Sequence, residues 1–222
     1  MTTVGLAVEE VVVIEAESRL GNIYDPSNDA CLDTRYELKS SSDVMSINSD
    51  QKPVIYSNNG ALVDQSQSVT VLQLTGSATN TFGFTEVDVS WSFTPGCGAS
   101  PITTSLNPSE LLVTIGTSLD FTIKSTDFSY QYKQDWIDLG YADGCTIDIR
   151  LEGSAAAFST LSGDTVSVAP DSGVTAGTHD LKVVAFYSGS TFGETTPLSS
   201  PTLTVTFDIV AERAVEIEVW PM

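Results

Sequence analysis

Four short segments in the first half of the chain return, in the same order, in the second half. Glu10-Val-Val-Val-Ile14 is echoed by Glu110-Leu-Leu-Val-Thr114, and Cys31-Leu-Asp-Thr-Arg35 by Cys145-Thr-Ile-Asp-Ile-Arg150. Thr81-Phe-Gly-Phe-Thr85 is echoed by Thr191-Phe-Gly-Glu-Thr195, and Val89-Ser-Trp-Ser-Phe93 by Leu203-Thr-Val-Thr-Phe207. Ordered self-similarity at offsets of roughly 100 to 116 residues marks a tandem duplication, so the chain reads as two copies of one module.

The module is a β structure. Apolar residues alternate with polar ones at period two along the whole chain, and no stretch of comparable length carries a helical period. Strands are expected near Val11–Ala16, Leu32–Leu38, Val69–Leu74 and Val87–Phe93, then near Leu111–Ile115, Leu119–Lys124, Thr146–Leu151, Thr165–Val168, Leu181–Tyr187 and Leu203–Val210. Val, Ile, Thr and aromatic residues fill these runs, while Gly, Ser, Asn, Asp and Pro fill the gaps. The expected fold class is all-β, two tandem antiparallel β-sandwiches. Two prolines and two glycines in Thr94-Pro-Gly-Cys-Gly-Ala-Ser-Pro101 break the pattern. The expected organisation is a first sandwich over 1–96, a linker over 97–101, a second sandwich over 102–210 and a C-terminal strand over 211–222.

Charge narrows the partners. Nine Lys and Arg stand against 29 Asp and Glu, a formal net charge of −20. Nucleic acid is excluded, because phosphate binding needs clustered cations to release counterions, and anionic membrane surfaces are disfavoured for the same reason. With 41% hydrophobic residues, the chain has the material for a core and lacks the composition of disorder. No apolar stretch approaches the roughly 20 residues that cross a bilayer. Met1–Glu10 lacks the basic and apolar regions of a signal peptide, so the reading is a processed chain or a segment of a longer one.

From Cys97 onward the residues resemble a family. Cys97 after one module, Asn107-Pro-Ser-Glu-Leu-Leu-Val113 opening the next, Cys145 on a strand, Gly173-Val-Thr-Ala-Gly-Thr-His-Asp-Leu-Lys-Val183 and Leu203-Thr-Val-Thr-Phe207 resemble the cadherin-like, immunoglobulin-like repeats of large surface proteins, including ciliate surface repeats. Ala176-Gly-Thr-His-Asp-Leu-Lys-Val-Val-Ala185 is similar to the G-T-Y-x-L-x-V-x-A strand of such modules, with His179 in the aromatic position. The resemblance covers Cys97–Val210 well and Val8–Phe93 loosely. It implies an extracellular location and a Cys97–Cys145 disulfide closing a loop of about 48 residues, worth roughly 3–4 kcal/mol on chain-entropy grounds. Cys31–Cys97 is the competing pairing; otherwise Cys31 is a buried thiol or bonds a neighbouring chain. Cadherin-type modules bind calcium through D-x-N-D-x-x-P and L-D-R-E runs, and this sequence has neither.

Few residues offer chemistry. Asp127, Asp135, Asp138 and Asp143 crowd the insertion Lys124–Gly144 and are candidate oxygen ligands for Ca²⁺. Without regular spacing they read as solvated loop carboxylates. Phe128, Tyr130, Tyr132, Trp136 and Tyr141 share the insertion; such rings stack on sugars or pack a long loop onto its own sandwich. His179, the only histidine, has no nucleophile-elbow pattern to serve and reads as a surface residue in a turn before a strand.

No enzyme is expected, and no cofactor. The expected function is a non-enzymatic extracellular structural protein whose repeats assemble head-to-tail into a surface fibre; the alternative is a carbohydrate- or receptor-binding adhesion module. In the tail, Val215, Ile217 and Val219 alternate with Glu216, Glu218 and Trp220. Such a strand fits beside Val11 and Val13 of a neighbouring copy by strand addition, and a contact of this kind propagates into a filament unless it closes as a ring.

Overall fold

The computed structural model describes residues 2–7, 12–13, 33–76, 81–192 and 201–214. The chain divides into two compact units. Unit 1 gathers Met1–Ser100, Gln134–Gly144 and Thr191–Ser199; unit 2 gathers Pro101–Lys133, Cys145–Ser190 and Ser200–Met222.

In unit 1 the strands are β1 (Thr2–Ala7), β2 (Val12–Val13), β3 (Asp33–Leu38), β4 (Met45–Ile47), β5 (Pro53–Ile55), β6 (Gln67–Gly76) and β7 (Thr81–Thr94). They form one sheet ordered β1-β7-β6-β3 and a second ordered β2-β5-β4. Period-two patterning sets the faces. Val71, Val89, Trp91 and Phe93 are buried, while Glu86 and Asp88 on alternate positions of β7 face solvent. There Lys39 Nζ donates to both Glu86 oxygens at 2.8 Å, and Thr70 Oγ1 donates to Asp88 Oδ1 at 2.7 Å. Met45 and Ile55, cross-strand partners in the smaller sheet, supply fully buried side chains of the core.

Unit 2 contains β8 (Ile102–Thr104), β9 (Leu111–Thr114), β10 (Leu119–Thr122), β11 (Phe128–Tyr130), β12 (Cys145–Glu152), β13 (Ser159–Ser162), β14 (Thr165–Val168), β15 (Gly177–Ser190) and β16 (Thr202–Glu212). A helix, α1 (Lys133–Asp138), follows β11 and from Gln134 on belongs to unit 1. The sheets are β12-β15-β16-β9 and β10-β14-β13, and β8 pairs with β11. Leu181, Val183 and Ala185 lie opposite Phe207, Val205 and Leu203, and Phe121 of the smaller sheet meets Phe207 at 5.5 Å between ring centroids. Gly163, at φ +57, opens the two-residue turn that joins β13 to β14, where glycine is the favoured residue.

The two units share one topology. In each, one early strand, β1 or β9, runs parallel to the last, and the last strand, the penultimate strand and β3 or β12 are antiparallel neighbours: β1-β7-β6-β3 corresponds to β9-β16-β15-β12. The three-stranded sheets β2-β5-β4 and β10-β14-β13 correspond in the same way. The fold is thus all-β and tandem, antiparallel apart from one parallel pair per unit. Two readings of the sequence are adjusted. Leu111–Thr114 has β1 as its topological equivalent, whereas its sequence echo Val12–Val13 lies in the other sheet, on β2. The final strand also continues past Val210, because Ala211 and Glu212 pair with Val113 and Thr114 of their own sheet. A free C-terminal strand therefore cannot begin at 211. Among the described residues no helix is long and apolar enough to cross a membrane.

One tight corner in unit 2 depends on glycine. Gly153, which follows β12, has φ +93 and ψ −178, a region open essentially to glycine alone. A Cβ there would lie 2.5 Å from the Asp180 carbonyl oxygen. The close approach lets Ser154 bond the Asp180 carboxyl twice: its N–H donates to Asp180 Oδ1 at 3.0 Å, and its hydroxyl donates to the same oxygen. That hydroxyl also accepts from the Asp180 N–H at 3.0 Å. The Ser154 hydrogen bonds, aided by Lys182 Nζ at 3.2 Å, hold the Asp180 carboxyl well below the usual carboxylate range. Replacing Gly153 with Ala is expected to destabilise unit 2 by at least about 1–3 kcal/mol, read as a lowered urea midpoint. A depressed carboxyl contributes stability above its unfolded pKa and loses that contribution as pH falls. Asp180→Asn should therefore lower stability at neutral pH and flatten its acid dependence.

Candidate functional site

Among the described residues, the insertion between β10 and β12 is the largest departure from the strand pattern. It begins with a single 3-10 turn, Ser125–Asp127, capped by Asp127 Oδ2, which accepts from the Lys124 N–H at 2.8 Å. β11 then buries Phe128 (5% exposed) and Tyr130 (3%) within unit 2. Lys133 Nζ lies 5.8 Å from the centroid of the Tyr130 ring.

Helix α1 is six residues long, and its end is defined by Gly140 at φ +93. The Gly140 N–H donates to the Ile137 carbonyl at 2.9 Å, and the Tyr141 N–H donates to the Trp136 carbonyl at 3.0 Å. This is the paired bonding of a Schellman cap, which requires a left-handed residue and brings its third-from-last helical side chain near the residue after the glycine. Those two side chains are Trp136 and Tyr141, and both anchor in unit 1. Trp136 is 1% exposed, its Nε1–H donates to the Gly60 carbonyl at 3.3 Å, and its ring meets that of Phe192 edge-on at 5.7 Å. Tyr141 OH donates to Asp64 Oδ1 at 2.7 Å.

The receiving turn is set by local polar contacts. Ser57 Oγ accepts from the Asn59 N–H at 3.1 Å, and Asn59 Oδ1 accepts from the Ala61 N–H at 3.0 Å. This caps the 3-10 turn Gly60–Leu62. Val63 then bridges to Phe93, and Asp64, at φ +61, donates its N–H to the Phe93 carbonyl at 3.0 Å. On the far side of the insertion, the Thr191 N–H donates to the Gly144 carbonyl at 2.8 Å. A Cβ on Gly144 would lie 2.5 Å from Thr191 Oγ1 and 2.8 Å from the Phe192 ring, so those side chains would have to shift to admit one.

The aromatic set is therefore divided. Phe128 and Tyr130 pack in unit 2, as a loop folded onto its own sandwich would, whereas Trp136 and Tyr141 complete unit 1. The four insertion carboxylates do not converge: among the described residues there is no group of three or more His, Cys, Asp or Glu placed to hold a metal ion. Asp127 caps a turn, Asp138 accepts from Gln134 Nε2 at 2.7 Å, and Asp135 and Asp143 are exposed. His179 lies within β15 itself. Its Nε2 is 2.8 Å from the Thr175 carbonyl, and its ring meets Phe158 edge-on at 5.3 Å. Cys97 and Cys145 are both disulfide-bonded, which excludes a Cys31–Cys97 bridge; Cys31 lies outside the described residues. So do Val11, Val215, Ile217 and Val219, while Val13 sits on β2, opposite Val54 of β5. Sequence reading missed Ile137 and Leu139, which are 38% and 49% exposed on the insertion. Their signal was the interleaving Asp135-Trp-Ile-Asp-Leu139, in which one apolar side chain turns inward and two turn out.

Trp136→Ala is expected to destabilise unit 1 by about 3–5 kcal/mol in urea denaturation, the usual range for a fully buried Trp. Burial, with the bond to Asp64 and its charge, pushes the Tyr141 phenol up to about 12. A raised pKa means stability that is complete below the ordinary tyrosine value near 10 and is lost as pH rises toward about 12. Tyr141→Phe should remove that alkaline component, leaving one fewer late-titrating phenol in an ultraviolet titration.

No protein-family model and no curated protein matches the chain. Solved structures with similarity include human mucin-like protocadherin EC1-2 (13% identity, 96% of each chain covered, TM-score 0.35). Human protocadherin-24 EC1-2 matches at 12% identity over 95% of each chain, with a TM-score of 0.39. The endo-fucoidan hydrolase MfFcnA4 matches at 12% identity over 96% of this chain and 28% of its own, with a TM-score of 0.33.

Proposed function

We propose that this chain is a stretch of a non-enzymatic, extracellular structural protein of the cell surface, whose tandem sandwiches join head-to-tail into a fibre or filament. The observation that carries the reading is the use made of the aromatic residues in the insertion. Phe128, Tyr130 and Trp136 are buried, and Trp136, Tyr141 and Phe192 fasten unit 1 together from separated stretches of chain. Rings used as fasteners resist deformation and are themselves withdrawn from sugar stacking, which favours a structural role over carbohydrate binding. The disulfide at Cys97 and Cys145 suits an oxidising compartment.

A joint between copies must overcome repulsion between chains that each carry −20. Backbone pairing does this without requiring opposite charges. Among the described residues β2 is an edge strand, paired with β5 alone, so the edge beside Val13 is the receiving position for Val215, Ile217 and Val219 of a neighbour. Electron micrographs of the full chain should show linear polymers. A chain ending at residue 214 should stay folded by circular dichroism and remain monomeric. Polymers of unchanged repeat made by the truncated chain would refute the joint, and selective binding on a glycan array would support the carbohydrate reading instead.

A further inference from the structure

We propose that the insertion tip of unit 1 is a docking knob for a different protein, one whose surface offers an apolar pocket rimmed by Lys and Arg. Among the described residues the exposed large aliphatic side chains are Leu112, Ile137 and Leu139. Two of the three stand two positions apart on one short segment, at 38% and 49% exposure, against the tendency of a helix end in an acidic chain to be polar. They are exposed because Trp136, between Asp135 and Ile137, takes the inward position.

The knob is held in one shape before any partner arrives. The two bonds of the Gly140 cap fix its turn, Trp136 and Tyr141 pin it to residues 60–64, and the Gly144 carbonyl accepts from the Thr191 N–H. A preorganised segment loses little conformational entropy on binding, so two aliphatic anchors contribute more than they would on a mobile loop. An anchor contributes most where it enters a desolvated pocket at the centre of a contact and its surroundings exclude water.

Charge selects the occupant. Asp135 and Asp138 are exposed on either side of Ile137, and the chain as a whole carries −20. A second copy would bring carboxylates against carboxylates, which costs affinity and slows encounter. An anionic bilayer is repelled in the same way. A glycan is a poor fit because Ile and Leu offer no ring face. What fits is a protein pocket that takes the two aliphatic side chains and presents cations to the flanking carboxylates. This knob works whether or not the chain polymerises, since it uses neither β2 nor the C-terminal tail.

The test uses the full chain, immobilised, and a phage-displayed library of disulfide-cyclised peptides as probe. Selected peptides are expected to combine Lys or Arg with aromatic or aliphatic residues. They should lose at least tenfold in affinity for the Ile137→Ser/Leu139→Ser double variant, and severalfold between 50 and 500 mM NaCl. Because both side chains are exposed, the double variant should melt like the parent, and circular dichroism checks this. Asp135→Asn/Asp138→Asn should weaken binding and reduce its salt dependence while leaving the apolar contact in place. Peptides that bind the double variant undiminished, or selection of acidic or uncharged peptides, would overturn the proposal. So would a dimer in sedimentation that the double variant abolishes, since the occupant would then be a second copy.

Discussion

Trp136 lies 76 residues from the carbonyl to which it donates, and unit 1 takes its composition from that contact. A buried indole removes a large apolar area from water but needs a partner for its N–H; the Gly60 carbonyl meets that need only because the turn at 57–62 holds it in place. The distance along the chain matters less than it looks. Loop-closure entropy grows with the logarithm of length, so a staple closing 76 residues costs only about 2 kcal/mol more than one closing about 10. Burying the ring is worth roughly 3–5 kcal/mol. The staple therefore wins, at the expense of a folding route in which unit 1 is completed only after the chain beyond residue 133 has arrived.

Electrostatics plays a smaller part in holding the fold than the composition suggests. The ion pairs Lys39–Glu86, Arg150–Glu152 and Lys182–Asp180 all have both partners substantially exposed, where each contributes little. Arg150 gains more from packing, with its guanidinium 5.0 Å from the centroid of the Phe186 ring. The ladders β6/β7 and β15/β16 and the apolar faces beneath them carry the stability. With 29 carboxylates against nine cations, most of the acidic surface is left unneutralised by the chain itself. That surplus opposes self-association through side chains, which is why a joint between copies has to be made by backbone and why a side-chain contact at the knob favours a basic partner.

Long strands were legible in the sequence because period-two alternation persists over many residues. Val87–Phe93 and Leu203–Val210 fall inside β7 and β16, the last strands of their units. The shorter β4, β5, β8 and β11, three residues each, offer too few alternations to be distinguished from loop. β1 and β13 were missed as well, the first interrupted by Gly5 and the second made mostly of Ser and Thr. Helix α1 spans less than two turns, so it has no period to detect; its one sequence cue is Gly140. The division of the insertion's rings between two cores was not legible at all. Nothing in Trp136 or its neighbours distinguishes a partner in the local sandwich from one 76 residues away.

The strand order common to the two units separates what the fold needs from what a connection adds to it. Both units keep the same order of strands in both sheets, so that arrangement is the common solution for burying two apolar faces. Between β10 and β12 the chain carries a capped turn and a strand in unit 2, then a helix and cap that from Gln134 on belong to unit 1. None of this is required to close either sheet of unit 2, since β12 pairs with β15 and β10 with β14 regardless of what joins them. A shared scaffold says little about function; a segment the scaffold does not need, yet holds rigid with its own cap and two anchors, is where function is to be sought. The apolar side chains that this segment leaves in water are Ile137 and Leu139.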